Sequence, residues 1–237
     1  MKKLLFVLLF TPLAAWAQIN SQCPQFTANG TPEYQAGPGD QEICHLNYAV
    51  IHKCSVKAPV AVFERLTIAA MTGPAKRKDN FRPDPQVTPA CSATLADYAT
   101  VGRTHDRGHM APAGNNTQND LIMSESFFLS NMVAQVANNN RGAWRLLESA
   151  ERQWATNPNA EFYIISGGIF DPGHPVTGNG LGIPTRLYKI IIEKNSRQVQ
   201  AYLMPNGPIN PATDWPKYQT NMAAIEQATG MLFNLGQ

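Results

Sequence analysis

Short apolar runs separated by polar turns recur along the chain from Tyr48 onward. Their content of β-branched and aromatic residues predicts strands at Tyr48–Ile51, Val60–Phe63, Phe162–Gly168, Leu187–Ile192 and Val199–Leu203. Residues 64–68 continue the second run, and the last two runs flank a polar turn and therefore predict a hairpin. Residues 98–107 predict one more short strand, which leads to His109.

Helical periodicity is clearest over residues 140–155, where apolar positions such as Trp144 and Leu147 recur at helical spacing. A second helix is predicted at 222–228, whereas residues 18–42 show no period and predict an irregular arm. The proline-containing connection at 72–97 is long enough to be either functional or pinned in place. Because strands outnumber helices and mostly join through hairpins, the pattern predicts an α+β fold with a largely antiparallel sheet.

The first residues have the layout of a secretory signal peptide. Lys2 and Lys3 precede an apolar run at 4–13, and a small-x-small cleavage site ends at Ala17. The run is shorter than the segment that spans a bilayer core of ~30 Å, and no later run is long enough. We therefore expect a signal peptide at 1–17, one domain at 18–237, a secreted or periplasmic protein and no membrane partner.

The cysteines are Cys23, Cys44, Cys54 and Cys91. An even number in an exported protein predicts two disulfides, and the spacing is too wide for a zinc site. Three pairings are open from the sequence. We prefer Cys23–Cys44 with Cys54–Cys91, which fastens the loop-rich start to the domain.

Charge is balanced overall but grouped locally. The formal net charge is +2 for the whole chain, and loss of Lys2 and Lys3 with the signal leaves the protein close to neutral. This argues against a surface that coats polyanions generally. The cations are grouped at residues 76–82, 103–107 and 141–145. A cleft lined by these groups would attract phosphates locally.

Candidate chemistry is concentrated in two polar clusters. The first is Asp106-Arg107-Gly108-His109, followed by Pro112, which favours presentation of His109 at the end of a strand. The second is an ordered polar set further along: Ser130-Asn131, Gln135, Asn140, Trp144, Glu148 and Arg152. In its order and separations the combined set resembles the DNA/RNA non-specific endonuclease family over roughly residues 48–234, and Glu226, Thr229, Gly230 and Phe233 resemble its closing motif.

The resemblance implies a ββα-metal nuclease fold with helices packed on both sides of the central sheet. It implies His109 as general base, Asn140 as the metal ligand, and Glu148 as the residue that holds metal-bound waters. The remaining implied residues are Arg107 or Arg152 for transition-state charge, Asn131 for positioning, Gln135 for substrate binding and an upstream arginine, for which Arg77 fits best and Lys78 or Arg82 are alternatives. Asp106 is expected to fix local structure.

These residue types suit phosphodiester hydrolysis. A neutral histidine can take a proton from water, and a divalent cation can act as a Lewis acid at the phosphate. Mg²⁺ prefers oxygen ligands and keeps most of its waters, so a single amide oxygen from Asn140 suffices, and other divalent cations such as Mn²⁺ are also compatible.

The sequence therefore predicts an exported, Mg²⁺-dependent endonuclease that hydrolyses phosphodiester bonds of DNA and RNA, with activity falling as salt rises. An inhibitor or immunity protein is a further partner class, and the oligomeric state is open. The alternatives are an exported nucleic-acid-binding module without cleavage activity and a Ser–His–Asp hydrolase using Ser124, Ser126 or Ser166. The chain lacks a Gly-x-Ser-x-Gly elbow, which disfavours the hydrolase.

Overall fold

The computed structural model describes residues 22–27, 30 and 32–233. The predicted signal peptide lies outside these described residues. The strands are β1 Pro32–Glu33, β2 Gln41–Cys44, β3 Tyr48–Lys53, β4 Ala58–Leu66, β5 His105–His109, β6 Met132–Val136, β7 Phe162–Ile169, β8 Arg186–Glu193, β9 Val199–Pro205, β10 Gln219–Thr220 and β11 Leu232–Phe233.

The α-helices are α1 Ile68–Met71, α2 Leu95–Ala99, α3 Asp120–Glu125, α4 Ala137–Asn139, α5 Arg145–Trp154 and α6 Met222–Thr229. A π-helical turn, Asn140–Trp144, lies between α4 and α5. The 3-10 turns are Pro24–Phe26, Cys54–Val56, Pro89–Cys91, Gly102–Thr104, Ala113–Asn115, Leu129–Asn131 and Ala212–Tyr218. Among the described residues, no helix combines the length and the apolar character needed to cross a membrane.

A seven-stranded sheet in the order β10-β9-β8-β7-β4-β3-β2 forms the centre of the molecule. Every neighbouring pair in it is antiparallel. Strand side chains alternate between two hydrophobic clusters: Ile164 and Leu187 pack with Trp144 and Leu147 on one face, and Ile190 packs with Ile225 of α6 on the other. The predicted α+β class and the largely antiparallel sheet are confirmed.

Several predicted bounds are wrong. Residues 64–68 do not all continue the second strand, because β4 ends at Leu66 and α1 begins at Ile68, and the described part of the arm at 18–42 contains β1 and the start of β2. Residues 98–107 are not one strand, because Thr94 and Asp97 form a reciprocal capping box that begins α2 at Leu95, and β5 begins only at His105. Residues 140–155 are not one continuous helix. Gly142 has φ −107° and ψ −105°, outside the helical region, so the π turn precedes α5.

The disulfides are Cys23–Cys44 and Cys54–Cys91, the preferred pairing. The second bond joins the turn after β3 to the long connection that begins after α1, as expected for a pinned segment. Strands β5 and β6 form a separate antiparallel pair. Together with the π turn and α5 they build the layer that carries the polar residues.

Candidate functional site

His109 is the last residue of β5 and pairs with Met132 of β6. One position earlier, Gly108 faces Gln135, and a Cβ on residue 108 would lie 2.1 Å from the Gln135 side-chain oxygen. This distance is below any real contact, so glycine at position 108 leaves the space that the Gln135 side chain occupies. His109 lies at the end of the strand because Arg107 and Gly108, the two residues before it, pair with Ala134 and Val133 of β6.

Asn131 fixes the backbone that follows His109. Its side-chain amide accepts from the Ala111 backbone N–H at 2.9 Å and donates to the carbonyl oxygens of Ala111 and Ser126, both at 2.9 Å. The side chain is fully buried. Asn131 therefore positions the end of β5 and does not line the cavity that contains His109.

Gln135 is likewise fully buried, and its amide donates to Asn139 at 3.2 Å. It does not line the cavity either, so the structure gives no contact surface for its predicted substrate-binding role. Its place between Gly108 and Asn139 indicates that it supports the β5–β6 pair.

The His109 ring lies among aromatic rings, edge-on to Phe81 and Phe127 at centroid distances of 5.6 and 5.0 Å. Burial, and then the charges of Arg77 and Arg107, lower the pKa of His109 to about 3. The imidazole is therefore neutral near pH 7 and can accept a proton. Its Nε2 atom is buried and has no hydrogen-bond partner within the described residues.

Asn140 is held by Asp106 across the gap between the π turn and β5. The Asn140 Nδ2 atom donates to Asp106 Oδ2 at 2.8 Å, and Arg141 donates to both carboxylate oxygens at 2.8 and 2.6 Å. Burial would raise the pKa of Asp106, but the bonds from Arg141 and Asn140 outweigh burial and lower it. Within the described residues, Asn140 Oδ1 has no hydrogen-bond partner.

One cavity of about 340 Å³ brings together most of the predicted site residues: Arg77, Arg107, His109, Asn140, Glu148 and Arg152. Arg77 is the upstream arginine that reaches it, with its guanidinium 5.1 Å from the Phe127 ring. The alternatives are engaged elsewhere. Arg82 lies over Phe128 at 4.1 Å, and Lys78 pairs with Asp120 at 2.9 Å.

The remaining histidines, and the serines of the Ser–His–Asp alternative, do not line this cavity. His45 bonds to Asp84 at 2.9 Å, His52 to the Cys91 carbonyl at 2.9 Å, and His174 to the Asp171 carbonyl at 3.0 Å. The serines at 124, 126 and 166 do not line the cavity that holds His109. A Ser–His–Asp set with His109 is therefore not assembled among the described residues.

A buried charged group lies behind the cavity and was missed by the sequence analysis. Lys189 of β8 and Glu151 of α5 form a salt bridge of 3.0 Å with both side chains fully buried, and Lys189 Nζ lies 4.7 Å from the Trp144 ring. Burial raises the pKa of Glu148 to about 7, an effect that Lys189 opposes and Glu151 reinforces. The cavity wall therefore carries a carboxyl group that titrates near neutral pH.

Glu64 extends this group toward Arg152. Asn115 donates its amide to Glu64 Oε1 at 3.1 Å, and its oxygen accepts from Arg152 Nη1 at 3.2 Å. Burial raises the pKa of Glu64 to about 8, with Lys189 acting in the opposite direction. The sequence held one signal for this buried group, which is Lys189 itself. It is a cation inside the apolar run Leu187–Ile192, at a position where the alternation of strand side chains places it on a buried face.

The residues present fit a hard divalent cation, although the described residues contain no group of three His, Cys, Asp or Glu side chains that could hold a metal. Asn140 offers an oriented, unbonded amide oxygen, and Glu148 offers a carboxyl group on the same cavity. Oxygen donors are the ligands that Mg²⁺ prefers, and it commonly keeps several of its waters. A bound Mg²⁺ would therefore take one direct oxygen ligand from these residues, and water would fill its other positions.

Comparisons with known proteins identify the family. A family model described as DNA/RNA non-specific endonuclease matches residues 26–237. The chain is 34% identical over 206 residues to the mitochondrial nuclease EXOG of Xenopus laevis, covering 80% of this chain and 57% of that protein. It is 30% identical over 202 residues to the mitochondrial endonuclease G of Homo sapiens, covering 79% of this chain and 67% of that protein.

A crystal structure of the EndoG/EndoGI complex superposes with a TM-score of 0.77 and 27% identity, covering 93% of each chain. This confirms the ββα-metal nuclease fold. The chain spans 57% of the length of the Xenopus laevis and Homo sapiens EXOG relatives. With the family model matched over nearly the whole described region, the chain belongs to the DNA/RNA non-specific endonuclease family.

Proposed function

We propose that this protein is a metal-dependent endonuclease that hydrolyses phosphodiester bonds of DNA and RNA. The observation that carries the proposal is that the neutral imidazole of His109 and the amide of Asn140 line one cavity together with five arginines, among them Arg77, Arg107 and Arg152. A base, an oxygen ligand for a cation and a cationic wall are the components that phosphodiester hydrolysis requires.

His109 takes a proton from the attacking water, since it is neutral near pH 7. Arg77, Arg107 and Arg152 offset the negative charge that grows on the phosphate, and Arg152 is held for this task by Asn115. Because the cavity walls exclude part of the solvent, these charges act more strongly than they would in water.

Asn140 Oδ1 would hold Mg²⁺ directly and Glu148 would hold it through water, with Mn²⁺ as an alternative ion. The bound ion supplies Lewis-acid catalysis at the scissile phosphate. Asn131 and Gln135 are proposed to act by holding the β5 end, without contact to substrate. Phosphates and an ion carry no base identity, so little sequence preference is expected.

We also propose that the protein is exported, as the predicted signal peptide implies. Two disulfides are compatible with an oxidising compartment. We propose a protein inhibitor as a further partner class, because the structurally similar EndoG is described in complex with EndoGI. The single domain assigned to residues 18–237 is part of the same proposal.

The experiment is digestion of labelled single-stranded DNA, double-stranded DNA and RNA, with Mg²⁺ and with EDTA. We expect all of these substrates to be cut with Mg²⁺ and none with EDTA, and cutting to fall steeply as salt rises. Tight binding without cleavage under any divalent cation would support the alternative, an exported nucleic-acid-binding module. Cleavage of acyl esters that EDTA does not affect would support a serine hydrolase.

A further inference from the structure

A second and larger cavity, of about 800 Å³, lies beside the one that holds His109. The two cavities share Arg77, Arg107, Asn140 and Arg141 along their common wall. The far wall is built by α2 and the 3-10 turn Gly102–Thr104, which lie between the long connection and β5. A substrate strand bound at the first cavity can therefore continue into the second without leaving the protein surface.

The charges of this groove are arginines with few acidic partners. Asp79 and Asp106 are paired with Arg77 and Arg141, at 2.7 and 2.6 Å. Among the described residues, neither Arg103 nor Arg107 has an ion-pair partner, and both side chains are exposed. Guanidinium groups without a salt bridge in one groove favour an anion, and Arg103 is the one that lies outside the first cavity.

The same groove also carries apolar surface. Leu95 at the start of α2 is 45% exposed, and the half-buried Phe81 ring lies 4.2 Å below the Arg107 guanidinium. Apolar and aromatic faces interleaved with arginines are the usual platform for a single nucleic-acid strand, in which bases stack while phosphates pair with cations. The volume is within the ~300–1,000 Å³ range of ligand sites.

We propose that this groove is a subsite for the strand that flanks the scissile phosphate, in which Arg103 contacts a neighbouring phosphate and Leu95 and Phe81 contact a base. The inference rests on the proposed nuclease function and adds the path of the substrate. Arg103 is a binding residue in this account and takes no part in the proton transfer at His109.

The first test is binding, which requires no cleavage. The affinity for a fluorescent single-stranded DNA of about 12 nucleotides is measured by fluorescence anisotropy in EDTA. The proteins compared are the wild type, Arg103→Ala and the control Arg197→Ala. Arg197 lies in the exposed β8–β9 turn and lines neither cavity. We expect Arg103→Ala to weaken binding roughly 3- to 10-fold and to reduce the slope of log affinity against log salt by about 0.7–1.

The second test separates the subsite from the catalytic cavity. With Mg²⁺, Arg103→Ala should raise KM for the same oligonucleotide with little change in kcat, and should leave hydrolysis of a mononucleotide p-nitrophenyl ester unchanged. Binding equal to that of the Arg197→Ala control overturns the subsite, as does an equal loss on both substrates. A wild type that binds DNA through Arg103 but cuts nothing contradicts the nuclease proposal and leaves the groove assignment standing.

Discussion

The side-chain amide of Asn140 donates to the carboxylate of Asp106 at 2.8 Å, and this bond determines which atom Asn140 offers to the cavity. Since Nδ2 is engaged, Oδ1, which has no partner in the part of the chain that the structure describes, is the atom available to a cation. Arg141 holds the same carboxylate with two further bonds. Under the proposed function, Asp106 would therefore act on metal binding through Asn140, as an outer partner that orients the ligand.

Replacing Asp106 with asparagine tests this orientation. Asp106→Asn removes the charge that holds Asn140 and Arg141 in place. We expect the Mg²⁺ concentration for half-maximal cleavage to rise about 10- to 100-fold. The control is Asp120→Asn, which alters an exposed carboxyl group paired with Lys78. It should leave the Mg²⁺ concentration for half-maximal cleavage unchanged. An unchanged Mg²⁺ requirement in Asp106→Asn would show that the Asn140–Asp106 hydrogen bond does not orient Asn140 for metal binding.

The pKa of His109 depends on its arginine neighbours as well as on burial. Arg107 disfavours the protonated imidazole, so Arg107→Ala should move the pKa of His109 upward from about 3 toward its ordinary value of 6.5. The acid limb of kcat/KM moves to higher pH with it, because the base must be neutral. NMR titration of the ring protons measures the shift, with Arg103→Ala as the control. A downward shift would be the wrong sign for this account.

Glu64 gives a pH dependence of stability whose sign is fixed by burial. Its pKa is raised from 4.5 to about 8, so between these values the folded protein keeps a proton that the unfolded chain has released. Rising pH therefore destabilises the wild type relative to Glu64→Gln, by up to about 1.4 kcal/mol per pH unit. Glutamine keeps an oxygen for Asn115.

The measurement is urea unfolding of both proteins at pH 5 and pH 8 with the disulfides intact. The unfolding free energy of the wild type should fall relative to that of Glu64→Gln as pH increases from 5 to 8. A constant difference would mean that Glu64 stays ionised in the folded protein, in conflict with its burial beside Glu151 and Glu148.

Much of the sheet was predictable because strand signals are local. The runs at Tyr48–Ile51, Phe162–Gly168 and Leu187–Ile192 all lie within strands, since β-branched residues in short apolar runs favour extended backbone. The order of the strands was not predicted, because β4 pairs with β7 across almost a hundred residues of intervening chain, and that pairing depends on tertiary packing.

The errors arise where side chains override periodicity. The apolar pattern across residues 140–155 does not reveal that Gly142 leaves the helical region against Ala212, which a Cβ at 142 would approach to 3.2 Å. Ordered polar motifs in the sequence singled out most of the residues that line the cavity. Asn115 and Glu64 were not, because their importance comes from contacts between segments 37 and 51 residues apart in sequence.

The central claim is that His109 and Asn140 act on one phosphate, and His109→Ala tests it most directly. Plasmid DNA is digested with Mg²⁺ by the wild type, by His109→Ala and by His174→Ala, whose ring bonds to the Asp171 carbonyl outside the cavity. We predict a loss of about 10²- to 10⁴-fold for His109→Ala, with its fold retained, and no loss for His174→Ala. Digestion by folded His109→Ala at the wild-type rate would contradict the account.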